Sequence, residues 1–195
     1  MIFTPTPLAG SFVIDIEPRT DDRGFFSRSY CVEEFAAAGI DHRVVQENVS
    51  FNHLAGTCRG IHFQRPPHAE AKLVRCTAGE IFDVVVDLRP ESDTFGEWYG
   101  VELTAENRRA LYVPVRCGHA YLTLTDGAEV TYQVSHRYTG SAEGGLRPDD
   151  PAIGVQWPRP LSVVSPKDMD WPSLGEQRSQ FEISMRVGPS VTRCE

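Results

Sequence analysis

The chain has 195 residues, 41% of them hydrophobic, a length and composition that suit one domain with a full core. Its net charge of −8 argues against a protein built to grip nucleic acid, although a local arginine cluster could still hold an anionic small molecule. No apolar run approaches the roughly 20 residues that span a bilayer, and residues 1–10 lack the pattern of a signal peptide, so a cytoplasmic protein without a membrane span is expected.

Residues 12–16 alternate apolar and other side chains, the period of a half-buried strand. Residues 32–39 (VEEFAAAG) carry the one clear helix signal, good helix formers closed by a glycine suited to a C-terminal cap. Short strand-like runs follow at 43–51, 71–76, 80–88, 98–103, 110–115, 121–125 and 129–134. Ala78-Gly79 and Asp126-Gly127 mark tight turns between them. The pattern predicts a mainly β sandwich or barrel with a short N-terminal helix. Without strand–helix–strand alternation, a GxGxxG or a P-loop, a dinucleotide or ATP enzyme is disfavoured. Residues 140–151, polar and rich in Gly, Asp and Pro, read as a surface loop. Residues 157–172 read as irregular, but Trp157 and Trp171 should pack them onto the barrel. A single domain is expected over residues 1–175, with 176–195 a tail that is either disordered or adds a strand to a partner.

Cys31, Cys58, Cys76, Cys117 and Cys194 show no zinc-ligand spacing and read as small thiols in a reducing compartment. The densest chemistry lies in residues 58–76, CRGIHFQRPPHAEAKLVRC. Arg59 and His62 are an odd number apart and would face opposite sides of a regular strand, unless Gly60 permits a bulge that brings them together. A lone histidine is usually a satisfied structural residue. His62, however, is followed ten residues on by Lys72, and an interior lysine in a β barrel is costly unless partnered or used. A barrel with several histidines also invites a metal site. Metal-binding cupins place an HxH pair on one strand, and here that position reads His62-Phe63-Gln64, so metal chemistry is the minority reading. Further candidates are His119, Tyr132 in EVTYQVS and Asp168 in SPKD. Their bland alternatives are a packing tyrosine with a tied-off hydroxyl and a solvated loop carboxylate.

These stretches resemble the dTDP-4-dehydrorhamnose 3,5-epimerase family. The likeness runs over DDRGFF (21–26), VQENVSFN (45–52), CRGIHFQ (58–64), residues 72–98 and 103–114, RPDDPAIGVQWP (147–158) and SPKD (165–168). It implies a cupin jelly roll, a strand-exchanged homodimer, no metal and no cofactor. Its substrate is a nucleotide-diphospho-4-keto-6-deoxy sugar, inverted at C3, C5 or both for deoxysugar and polysaccharide biosynthesis. The resemblance puts the base at His62, its orienting carboxylate at Asp168, the lysine at Lys72 and the proton-returning acid at Tyr132. Arg59 and His119 fall at the sugar and phosphate, and Arg23, Phe26, Gln46, Asn48 and Tyr138 at the nucleotide. The set is chemically coherent, because a proton α to a ketone needs a base, a stabiliser for the enolate and an acid on the opposite face.

The chain departs from the family at Phe63 (usually Tyr), at HAEA before Lys72, at RCGHAY (116–121) and at Pro148. Arg28 stands where the family usually has an acidic residue near the pyrimidine, which suggests a CDP-linked rather than a dTDP-linked substrate. The alternative for Arg28 is a pair with a phosphate or a surface carboxylate. The competing functions are a metal-dependent cupin oxygenase or isomerase and a non-catalytic sugar-binding jelly roll.

Overall fold

The computed structural model describes residues 1–185. Two antiparallel sheets face each other, the sandwich that the spacing of short strands predicted. The first sheet contains β1 (Ile2–Pro5), β2 (Phe12–Asp15), β10 (Ala110–Val113), β7 (Lys72–Ala78), β12 (Ala128–Val134) and β5 (Gln46–Asn52), in that spatial order. The second contains β13 (Glu143–Gly145), β6 (Thr57–Gln64), β11 (Cys117–Thr123), β8 (Glu80–Asp87) and β9 (Trp98–Thr104). A separate hairpin joins β3 (Arg19–Asp21) to β4 (Gly24–Phe26), and β14 (Val163–Val164) runs parallel to the start of β6. Among the described residues no helix is long and apolar enough to cross a membrane.

Period-two alternation decides what each strand contributes. Val74, Cys76, Ile81, Val85, Tyr121 and Val130 point between the sheets and form the central core. The outer faces are also apolar and need covers. Leu73, Ala110 and Tyr112 pack under Phe35 of the helix α1 (Val32–Ala37). Ile61, Phe63, Val84 and Val86 pack under Leu174 and Phe181 of the C-terminal helix α3 (Leu174–Ser184).

Two segments differ from the sequence reading. Much of residues 140–151 is not a surface loop: β13 pairs with β6, and Gly144, Gly145 and Leu146 are buried. Aromatic rings lie where side chains at these glycines would go, Phe63 against Gly144 and Trp171 against Gly145. The segment after Gly175 continues as α3 to Ser184, opened by a capping box between Ser173 and Glu176, and Phe181 stacks near Phe63 with ring centroids 5.4 Å apart. The rest of the expected tail, with Cys194, lies outside the described residues. Trp157 packs against the outer core of the second sheet, as its residue type suggested.

Candidate active site

A cavity of about 450 Å³ opens between the sheets, within the size range of small-molecule sites. Arg59 and His62 enter from β6, Lys72 from β7, His119 and Tyr121 from β11, Tyr132 from β12 and Asp168 from the short helix α2 (Pro166–Met169). Six of the twelve sequence candidates therefore line one cavity.

Gly60 explains how Arg59 and His62 come to share it. His62 pairs with His119 and Arg59 with Tyr121, so three steps on β6 match two on β11, a bulge. Gly60 sits there at φ +115°, and a Cβ would meet the His119 carbonyl oxygen at 2.5 Å. Arg59 thus turns inward, while Ile61 and Phe63 pack outward.

The same edge of β6 delivers the carboxylate. β14 pairs with Thr57 and Cys58, and the chain then turns at Ser165, whose side chain caps α2 by accepting from the Asp168 N–H. Asp168 Oδ1 lies 2.6 Å from His62 Nε2. Burial alone would raise the Asp168 carboxyl, but the hydrogen bond and charge of His62, with bonds from Gly60 N–H and Ser165, hold it below the usual range. His62 Nδ1 has no partner among the described residues, so a neutral ring bonded to Asp168 through Nε2–H keeps a free lone pair.

The opposite wall carries a phenol. Tyr132 reaches the cavity from the first sheet, and its hydroxyl makes no hydrogen bond among the described residues. Burial raises its pKa, with smaller contributions from Tyr121 and Glu70. Tyr121 is the contrast: its hydroxyl lies 2.8 Å from Ser50 Oγ and 3.3 Å from Asn52 Nδ2. Of the two cavity tyrosines, one is tied off and one is not.

The floor is charged. Lys72 is buried, with Nζ 3.4 Å from Glu70 Oε1. His119 Nε2 lies 2.8 Å from Asp83 Oδ1, and burial pushes the Asp83 carboxyl up against the pull of His119. Arg59 Nε donates to Asn52 Oδ1 at 2.8 Å. Cys58 lines the cavity, but burial, with Asp168 adding, pushes its thiol up to about 12, so it is not a ready nucleophile. Among the described residues no three His, Cys, Asp or Glu side chains converge as a metal would require.

The other six candidates lie outside the cavity. Asn48 is the register partner of Tyr132, so Gln46, Asn48 and Ser50 share the cavity face of β5, and Gln46 Nε2 donates to Asn48 Oδ1 at 2.8 Å. Tyr138 is exposed and donates to Glu143 Oε2 at 3.0 Å. Arg23, Phe26 and Arg28 belong to the β3–β4 hairpin and the residues just after it. Arg75, on the outer face of the first sheet, donates to Ser29 O at 2.6 Å, and Arg108 stacks over Phe25 at 4.6 Å. The first sheet therefore separates this region from the cavity of its own chain. Arg28 Nη1 lies 2.5 Å from Glu34 Oε1, the surface-carboxylate alternative. Sequence reasoning missed Lys167, which lines the cavity and pairs with Glu143 Oε1 at 2.7 Å, although it stands beside Asp168 in SPKD.

The family model for dTDP-4-dehydrorhamnose 3,5-epimerase matches residues 5–176. This chain belongs to that family. A dTDP-4-dehydrorhamnose 3,5-epimerase of Methanothermobacter thermautotrophicus is 42% identical over 177 residues, 89% of this chain and 95% of that one. A dTDP-4-dehydrorhamnose 3-epimerase of Streptomyces niveus is 40% identical over 91% of this chain and 86% of its own length. Among solved structures, an epimerase of Legionella pneumophila in complex with dTDP-4-keto-L-rhamnose superposes with a TM-score of 0.87 at 32% identity, covering 96% of this chain and 99% of that one. The fold is the family's cupin-like jelly roll, and the chain is an isomerase of the epimerase type.

Proposed function

We propose that the cavity removes a proton α to the C4 ketone of a dTDP-linked 4-keto-6-deoxyhexose and returns one from the opposite face. The observation that carries this reading is the opposition of walls: a carboxylate-held His62 with a free Nδ1 on the second sheet, and Tyr132 with a free hydroxyl on the first. His62 takes the proton, and Asp168 holds the ring and stabilises the imidazolium. Lys72 and His119 face the ketone oxygen as it gains charge. Tyr132 then protonates the enolate carbon from the other side, which inverts the centre. No residue in this scheme needs a metal or a redox cofactor.

The cavity holds the sugar, and the Gln46–Asn48 strip leading to Tyr138 extends it toward the nucleotide. Arg23, Phe26 and Arg28 reach that strip only from a second copy, so the working form is a homodimer. The exposed Val49 and Phe51 on the edge strand β5 support this, being apolar side chains that a second sheet would cover. Four described cysteines are unpaired, as a cytoplasmic enzyme keeps them. Because Arg28 is engaged by Glu34, we adopt the thymidine-linked sugar and make the cytidine-linked one the second arm of the test.

Proton NMR of the purified protein in D2O, with dTDP- and CDP-4-keto-6-deoxyglucose in separate samples, tests the proposal. Deuterium entering at C3 alone makes it a 3-epimerase, and at both C3 and C5 a 3,5-epimerase. The faster nucleotide settles the base. Folded protein that exchanges neither substrate contradicts the acid–base site and favours the non-catalytic reading.

A further inference from the structure

Lys72 places an ammonium inside the barrel at 7% exposure, where a cation is tolerated only beside an opposing charge. Glu70 stands against it, Oε1 3.4 Å from Nζ, with side-chain exposures of 11% and 9%. The other Glu70 oxygen, Oε2, accepts from Gln64 Nε2 at 2.9 Å. Gln64 is itself clamped: Nε2 also faces the carbonyls of His68 and Arg137, and Oε1 accepts the Thr139 N–H at 2.6 Å. One oxygen of Glu70 is therefore fixed, and the other is turned to the lysine. Charge-assisted N–H···O bonds run at about 2.7–2.9 Å, so the contact at 3.4 Å opposes charge without consuming an ammonium donor.

We propose that Glu70 is a positioning residue for the epimerisation: its clamped carboxylate holds the Lys72 ammonium aimed into the cavity, while leaving its donors for the ketone oxygen that becomes an enolate. The proposal rests on the epimerase reading above. Glu70 also bears on the acid, because after burial and Tyr121 its charge is the next factor that keeps the Tyr132 phenol protonated. The other titratable groups around the cavity that Lys72 enters are Cys58, Arg59 and His62 on β6, His119 and Tyr121 on β11, Tyr132 on β12, Lys167 and Asp168 on α2, and Asp83 on β8 behind His119. The carboxylates among them are Asp168 and Asp83. Asp168 is bonded to His62 and Asp83 to His119, so Glu70 is the carboxylate that stands directly against Lys72.

The test is the pH profile of kcat/KM, with C3 exchange in D2O, for the wild type, Glu70→Gln and Glu70→Asp. Exchange by the wild type comes first, and its absence sinks the epimerase reading rather than the role of Glu70. Given exchange, Glu70→Gln should move the alkaline limb to lower pH by about one unit, because the Tyr132 phenol then loses a carboxylate that helps hold it protonated. kcat at pH 8 should fall roughly tenfold with KM within about threefold, the mark of an interaction made in the transition state. Glu70→Asp keeps the charge but retracts it by one methylene, and should move the limb less, in the same direction. An unmoved limb in Glu70→Gln overturns the proposal, and an unmoved limb in Glu70→Asp does so if the glutamine variant fails to fold.

Discussion

His62 and His119 are register partners across β6 and β11, and each is bonded through Nε2 to an aspartate oxygen, at 2.6 and 2.8 Å. The two pairs nonetheless differ in character. Asp168 arrives late in the chain on α2 and gathers hydrogen bonds from His62, Gly60 and Ser165, which overcome burial and hold it ionised. Asp83 rises from the middle of β8, is fully buried, and keeps an Oδ2 with no partner among the described residues. Burial there outweighs His119 and resists the charge. The His62 side chain is 33% exposed to the cavity and that of His119 only 8%. In the proposed mechanism the same two residue types thus serve as the base in one place and as a fixed hydrogen-bonding group in the other, and the surroundings decide which.

The largest effect should come from breaking the first pair. Asp168→Asn is expected to lower kcat by about 10²-fold or more, the range of a general base deprived of its orienting group. Its stability should also respond to pH with a definite sign. The folded carboxyl titrates below the unfolded one, so its stabilisation is full above about pH 4 and is lost as the pH falls through the folded value. The gap in Tm between wild type and variant should close on acidification.

Asp83→Asn should do less to the rate, roughly tenfold or below, because His119 only donates to the developing charge. Its stability effect should have the opposite sign. The folded protein holds a proton at Asp83 more tightly than the unfolded chain, so ionisation there lowers stability as the pH rises above about 4. Thermal melts at pH 7 should put the variant at or above the wild type. A large loss of Tm would mean that Asp83 is a stabilising ion pair.

A third histidine sharpens the contrast because no aspartate is hydrogen-bonded to it among the described residues. His42 is buried among Tyr30, Phe35 and Tyr112, neither ring nitrogen has a partner among the described residues, and burial lowers its pKa to about 4. The unfolded chain takes up a proton near pH 6.5 that the folded one refuses, so stability falls as the pH drops from there toward 4. The loss should be on the order of 2–3 kcal/mol. His42→Leu should flatten that part of the urea-melt profile and leave kcat nearly unchanged.

The sequence showed most of the strands, because alternation and turn residues are local signals, and it showed the cavity set through motifs. It showed less wherever partners come from far along the chain. The burial of Gly144 and Gly145 depends on Phe63 and Trp171, which no window around residue 144 contains. The helix α3 was signalled locally by Ser173 and Glu176, a capping box that the weak apolar pattern beyond residue 175 obscured. The Gly60 bulge was foreseeable from the odd spacing of Arg59 and His62. That the hairpin carrying Arg23 and Phe26 lies behind the first sheet was not, since side-chain facing depends on pairing register. Glu70 went unnoticed because HAEA reads as a variable loop until Lys72 is seen beside it.

The central claim is that proton removal and proton return belong to opposite walls, and Tyr132→Phe in D2O tests it most directly. With the 4-keto-6-deoxy sugar nucleotide that the wild type turns over, the account predicts that deuterium still enters next to the ketone through His62 while the inverted product fails to accumulate. His62→Asn should abolish both. Inversion by Tyr132→Phe at close to the wild-type rate, or exchange that survives His62→Asn, would contradict the two-wall mechanism.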